Sequence, residues 1–406
     1  MDPVLFPLAP AGAQRETVAY STDVLQAYGG SEQRIQRRGV QDLSLGFRYV
    51  ADGAAEAPLA LRLLDADPET GYLVPWWPYA TPLGAAAALG ASRLTVDLAD
   101  VPTFAQGGER LFLLWASATS WEQVTAAAVD GSGVDLAAPL AAGWRARTAL
   151  LPLLRAYPTE RMGADRLNPA LRMGDVVFAA DLLDGAQLPA GSELYLPAGY
   201  LGLDVLTGLW DGGGPQKQDY VRRTTFVTAE AGAAVYDSQD ALGGLTRDLL
   251  FKLEGRSEVA ALRRFHAARL GALKPFWLPT WDQDLTLAAP ASQGAGAIDV
   301  LSSEVDGYHV LGFPVGYARR HLQLWTWGHE PVYLEVGGVE YQGEGVCTLE
   351  LLGTLPEAIT TAWRVSFLRH TRLADDALEL DWAHPGYAAA TLRTLELASD
   401  CPTGAA

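Results

Sequence analysis

Short patterns in this sequence return after an interval of about two hundred residues, and that recurrence constrains the fold more than any other feature. Trp325 follows Trp115 by 210 positions, Gly345 follows Gly133 by 212, Leu368-Arg369 follows Leu154-Arg155 by 214, and Gly386 follows Gly174 by 212. Two proline-bracketed aromatic pairs mark a similar period. Pro75-Trp76-Trp77-Pro78 lies in the first half, and Pro275-Phe276-Trp277-Leu278-Pro279, with Trp281 close behind, begins 200 positions later. Each proline removes a backbone donor and disfavours helix for the residue before it, so the stretch from Lys274 to Leu287 should run extended. Rings at this density are expected to pack at a junction. The landmarks predict a duplicated unit of about 170–210 residues.

The local patterns are those of strands and turns. Leu43, Leu45, Phe47 and Tyr49 alternate with polar or small residues, the period of a half-buried strand. Leu111 to Trp115 reads as a buried strand, and Asp130-Gly131-Ser132-Gly133 and Gly343-Glu344-Gly345 as hairpin turns. Gly29-Gly30 and Gly243-Gly244 read as turns, and Pro158 to Pro169 as a polar loop. Two helices are expected. Pro58 should occupy the first turn of one that stops at Asp67-Pro68, and Ser257 should cap another carrying Val259, Leu262, His266, Leu270 and Leu273 on one stripe. The resulting expectation is a mainly β protein of duplicated β-sandwich or β-barrel units with a few short helices. Residues 1–190 form the first unit, 191–220 a Gly/Pro-rich linker region ending in Asp211-Gly212-Gly213-Gly214-Pro215, 221–400 the second unit, and 401–406 a tail.

Composition narrows the function classes. Forty-eight acidic residues against 30 basic ones give a formal charge of −18, which argues against gripping nucleic acid through its phosphates. With 49% apolar and 19% charged residues the chain should fold, and any assembly should rest on apolar contact. Cys347 and Cys401 are too few for a disulfide scaffold or a Cys-rich zinc site, and are expected as free thiols in a reducing compartment. No secretory signal pattern and no run of about 18 apolar residues is visible, so the expectation is a protein folded in a cytosol without membrane insertion.

A search for chemistry returns nothing catalytic. The six histidines, His266, His309, His321, His329, His370 and His384, lack helical metal-ligand spacing, and Pro331 follows His329-Glu330 too closely for a helical zinc motif. Asp282, Asp284 and Asp375-Asp376 could serve glycoside hydrolysis in principle, but a turn and a strand start explain them better. No nucleophile elbow or phosphate loop occurs. The expectation is no enzyme, no cofactor and no metal. Arg34, Arg37 and Arg38 beside Glu32 read as ion pairs between subunits or as a solvated turn.

Three stretches carry a resemblance. Thr22-Asp23-Val24-Leu25 through Tyr28-Gly29-Gly30-Ser31-Glu32-Gln33-Arg34 to Arg37-Arg38 resembles the opening of tail-tip and baseplate proteins of long-tailed bacteriophages, distal-tail-like proteins that also occur in gene-transfer-agent particles. The stretch through Lys274-Pro275-Phe276-Trp277-Leu278-Pro279-Thr280-Trp281-Asp282-Gln283-Asp284 and the run Val365 to Leu380 resemble further elements of the same family. The resemblance implies a virion structural protein, assembled in the host cytoplasm, that forms part of a homo-oligomeric ring at the distal end of the tail tube. Its partners would be the tube protein and other baseplate or hub proteins, with genomic DNA only passing through. The duplication leaves two stoichiometries, six copies or three copies in a pseudo-sixfold ring. Trp76, Trp77, Phe276, Trp277, Trp281, Glu32 and Arg34 are the candidate core or interface residues. The alternative is a carbohydrate- or receptor-binding baseplate module using the many tryptophans.

Overall fold

The computed structural model describes residues 3–27, 32–66, 68–98, 101, 110–180, 199–207, 217–221, 224–228, 234–238, 244–308 and 319–397. The chain starts with β1 (Val4–Leu5) and a long hairpin of β2 (Pro10–Gln26) and β3 (Glu32–Asp52). After α1 (Gly53–Leu64) come β4 (Tyr72–Pro75), β5 (Thr81–Pro82), β6 (Arg93–Thr95), β7 (Arg110–Ser117), β8 (Ser120–Asp130) and β9 (Gly133–Leu136). β10 (Ala149–Pro158), β11 (Asp165–Asn168) and β12 (Leu171–Ala180) follow. The second half holds β13 (Gln218–Val221), β14 (Thr224–Thr228), β15 (Ala234–Ser238), β16 (Gly244–Glu254), α2 (Arg256–Arg269), β17 (Phe276–Pro279), β18 (Ala297–Leu301) and α3 (Ser302–Tyr308). It continues through β19 (His321–Trp325), β20 (Val332–Gly343), β21 (Val346–Leu351), β22 (Arg364–Leu373), β23 (Ala377–His384) and β24 (Tyr387–Glu396). The protein is mainly β. Twenty-two of these strands join one network, antiparallel except where β1 lies beside β4, and β14 and β15 form a separate hairpin.

The pairing scheme of the first half recurs in the second. β3 pairs with β12 as β16 pairs with β24, and β10 joins β4 to β7 as β22 joins β17 to β19. The hairpins β7–β8 and β8–β9 reappear as β19–β20 and β20–β21. Small details repeat as well. The Glu56 carboxylate accepts the Asp52 N–H at 3.2 Å, and Glu258 accepts that of Glu254 at 2.7 Å, each satisfying an orphan donor at its helix start. Gly90 and Gly294 hold φ of 82° and 81°, and their amides donate to Leu140 and Leu355.

Register corrects the landmarks read from the sequence. Pro75 faces Leu153 and Pro279 faces Leu368, so Pro75 matches Pro279, 204 positions on, and Trp77 matches Trp281 rather than Trp277. Leu368 corresponds to Leu153, one residue from the spacing match. Gly386 occupies a turn whereas Gly174 lies within β12, and Gly345 occupies a turn whereas Gly133 opens β9. Only Trp115 and Trp325 keep their match, facing Ala149 and Arg364 in equivalent ladders. Short identities mark turns and rings that occur in every β unit, and loop lengths between them differ.

Within the stretch expected to be a linker, residues 199–207 are packed. The Leu206 N–H donates to Trp277 O at 2.9 Å, as the Phe6 N–H donates to Leu73 O at 2.9 Å, so this segment lies against β17 as β1 lies against β4. The glycine-rich Asp211–Pro215, together with Gly29-Gly30, Gly243, His309, Cys401 and the 401–406 tail, lies outside the described residues.

Local readings fare unevenly. Leu43, Leu45, Phe47 and Tyr49 are all buried. The Asp130–Gly133 turn forms with the Asp130 carboxylate accepting the Ser132 N–H at 2.8 Å. Gly133 is required, because a Cβ there would stand 2.3 Å from the Leu94 carbonyl. Pro58 sits inside α1, which starts five residues before it, and α2 starts at Arg256 with Gly255, not Ser257, at its cap. The polar loop after Pro158 contains β11.

Candidate assembly seam

The two halves meet where β2 enters the sheet of the second half. β2 pairs with β23 from Gln14↔Trp382 to Ala19↔Ala377, so a continuous run of strands reads β11–β12–β3–β2–β23–β24–β16–β13. Beneath this junction lies a buried ion pair. Arg263 of α2 stands 2.5 Å from Glu16 of β2, with both side chains almost wholly removed from solvent. The Trp382 indole donates to Glu16 at 3.1 Å, and Arg263 donates to the Tyr79 hydroxyl at 3.0 Å while its guanidinium covers Trp76 at 5.1 Å. Burial pushes the Glu16 carboxyl up, and Arg263, Trp382 and Trp76 draw it back. Two helix turns away, Arg256 donates to Thr81 at 2.7 Å and to the Ala80 carbonyl at 2.6 Å. The proline-bracketed Trp76 segment is therefore the surface on which α2 of the other half is seated.

The hairpin tip adds a second clasp. Glu32 receives a two-pronged ion pair from Arg372 of β22, at 2.8 and 3.0 Å, with both side chains buried. Planar bidentate pairing of this kind fixes orientation as well as proximity. Asp376 caps the corner between β22 and β23. Its carboxylate accepts the Thr22 N–H at 2.6 Å and the Ala272 N–H at 2.9 Å, tying the arm to the end of α2.

A third cluster surrounds Trp277. Its indole donates to the Tyr200 carbonyl at 2.9 Å, and its ring lies 4.5 Å from His321 and 5.5 Å from His370. The Tyr200 hydroxyl bonds Nδ1 of His321 at 3.0 Å. Burial pushes His321 down to about 3 and His370 down to about 4, with Arg320 and His370 adding to the first and Arg34 to the second. His266, fully buried against Tyr20, is likewise lowered to about 4 by burial. All three are neutral at pH 7.

The residues singled out from sequence thus fall into several groups. Trp76 belongs to the seam, and Trp77 packs edge-on against Trp115 at 5.1 Å. Phe276 meets Phe265 of α2 at 5.1 Å, Trp277 centres the histidine cluster, and Trp281 is buried with φ of 56°. Glu32 makes the arm clasp, Arg34 lies near His370, Arg37 pairs with Asp23 and Arg38 with Asp42. Sequence reading missed Glu16, Arg263 and Arg372. A charged residue in an apolar helical stripe was the available signal for Arg263.

Of the carboxylates considered for hydrolysis, Asp376, Asp284 and Asp282 are engaged structurally. Asp284 is buried and accepts the Phe367 N–H at 2.8 Å, while exposed Asp282 stands 3.6 Å from Arg247. An open groove of about 830 Å³ crosses the sheet face, lined by Asp248, Asp375, Asp376, Glu379, Asp381 and Arg393 among others. Among the described residues no three His, Cys, Asp or Glu side chains gather to hold a metal, and no helix is long and apolar enough to cross a membrane. No family model and no curated protein matches the chain.

Proposed function

We propose that this chain is a structural subunit of a ring at the tail tip of a long-tailed bacteriophage, with no reaction to perform. The observation that carries the reading is the β2–β23 junction, in which the arm of one unit becomes a strand of a like unit beside it. Rings are built by repeating such side-by-side contacts. The solvent side of the joined sheet supports a place for passing DNA. It carries Arg48–Asp175, Arg15–Asp381 and Arg393–Asp248 pairs at 2.8 to 3.0 Å and the acidic groove. Such a face lining a bore, on a chain of charge −18, would repel nucleic acid and let it slide. The tube protein and other hub proteins are the partners this reading names. The test is to delete the gene and image the particles. Tails lacking their tips support the reading, and complete tips on particles without this protein overturn it.

Trp327, 86% exposed, and Trp121, 41% exposed, favour a second reading, carbohydrate binding at the tail tip. Indole faces in the open stack on sugars. Binding to host glycans that is lost in a Trp327→Ala variant would support it.

A further inference from the structure

The repeat gives each strand of the internal junction a counterpart that, among the described residues, has one edge open. β2 corresponds to β13, because Glu56 and Glu258, and Asp52 and Glu254, stand 202 positions apart and the β2–β3 register carries over to β13–β16. β23 corresponds to β11. Gly53 N–H donates to Ala170 O as Gly255 N–H donates to Gly386 O, and both strands have a bulge at the same place, before Asn168 and before His384. Among the described residues, β11 pairs only with β12 and β13 only with β16. They are the two ends of the eight-strand run, and an open strand edge invites another strand.

We infer that β13 of one copy adds to β11 of the next copy of this chain, in the register in which β2 adds to β23 within one copy, so that copies join head to tail into a closed ring. Transferring that register sets Lys217 opposite Asp165, as Arg15 faces Asp381 at 3.0 Å. Both residues are exposed in the single chain, and the charges match in sign at each position. The Thr22 amide that Asp376 accepts becomes the Thr224 amide opposite Glu160, again a carboxylate.

The helices give an independent sign. α2 has no exposed residue, because the first half covers its outer side, whereas α1 leaves Ala54, Pro58, Leu61 and Arg62 exposed. Leu61, 44% exposed, holds the position of Arg263, and Gln218 holds that of Glu16. Both members of the buried ion pair are replaced together by uncharged side chains, so the second seam can close with no charge stranded. An apolar side chain on an open helix face beside an open strand edge is a contact surface. A head-to-tail contact leaves no free edge once the ring closes.

This deepens the ring reading and rests on it only for where the ring sits. The test uses the full chain carrying Lys217→Cys and Asp165→Cys with Cys401→Ala, oxidised at assembling concentration. The expected result is a reducible ladder ending in one closed species, with each single-cysteine variant giving dimers at most. A disulfide within one chain, or no cross-link in assembled protein, would overturn the inference. Lys217→Asp should lower assembly at least tenfold by native mass, and adding Asp165→Lys should restore it. A double variant as defective as the single one would count against the pairing, as would wild-type protein monomeric at all concentrations. If the ring forms through this seam but the protein is absent from tail tips, the place proposed above fails while the seam stands.

Discussion

Glu16 and Arg263 form an ion pair of 2.5 Å in which neither side chain reaches solvent, and it joins strand β2 of the first half to helix α2 of the second. The Coulombic attraction in such a site is offset by the cost of stripping water from both charges, so breaking the pair is far costlier than removing it. Glu16→Gln or Arg263→Leu alone should destabilise by about 3–5 kcal/mol. The double variant copies the Gln218 and Leu61 of the equivalent positions and should recover most of that loss. Urea unfolding of the four proteins measures it. A double variant as weak as the sum of the singles would refute the argument.

The clasp between Glu32 and Arg372 should hold the arm down. Arg372→Ala leaves a buried carboxylate alone, at a cost of about 3–5 kcal/mol if the arm stays docked, and lifting the arm relieves it. Faster amide exchange across residues 21–26 and 32–38, with β17 and β22 unchanged, is the expected outcome.

Trp277 links residues 199–207 to the second half through its indole bond to Tyr200 and its backbone pairing with Val205. Trp277→Ala should cost about 3–5 kcal/mol by opening a cavity and should expose 199–207 to protease. Trp277→Phe, keeping much of the ring but losing the indole N–H, should fall between. Limited proteolysis and thermal melts distinguish the three.

The buried histidines make stability pH-dependent in a defined direction. His266, His321 and His370 have folded pKa values of about 4, 3 and 4, below the unfolded value of about 6.5. The unfolded chain therefore binds more protons between about pH 6.5 and 4, and stability should fall as pH falls through that window. Above pH 6.5 these groups contribute no slope. His266→Phe should flatten the curve, and thermal melts from pH 7.5 to 4.5 record it.

Much of the fold was legible locally. Period-two alternation in Leu43 to Tyr49 gave a strand because a pleated backbone sends alternate side chains to opposite faces. The Asp130–Gly133 turn was legible because Asp and Gly supply the hydrogen bond and the backbone room that such a turn needs. The aromatic-and-proline stretches were found as packing junctions, yet which ring matched which was misjudged by four residues. Offsets depend on loop lengths, and a strand register is fixed by partners elsewhere in the chain.

Local patterns alone were enough for a β-rich chain with buried rings beside its prolines, since alternation, turn chemistry and apolar content act over a few residues. It took the folded chain to show that β2 belongs to the other half's sheet, that Glu16 meets Arg263 and Glu32 meets Arg372, and that, among the described residues, β11 and β13 each keep one edge open. Those contacts join residues hundreds of positions apart, such as Arg15 and Asp381, separated by 366. No local propensity encodes them, because the register of a strand is set by whichever edge it meets once the sheets have formed.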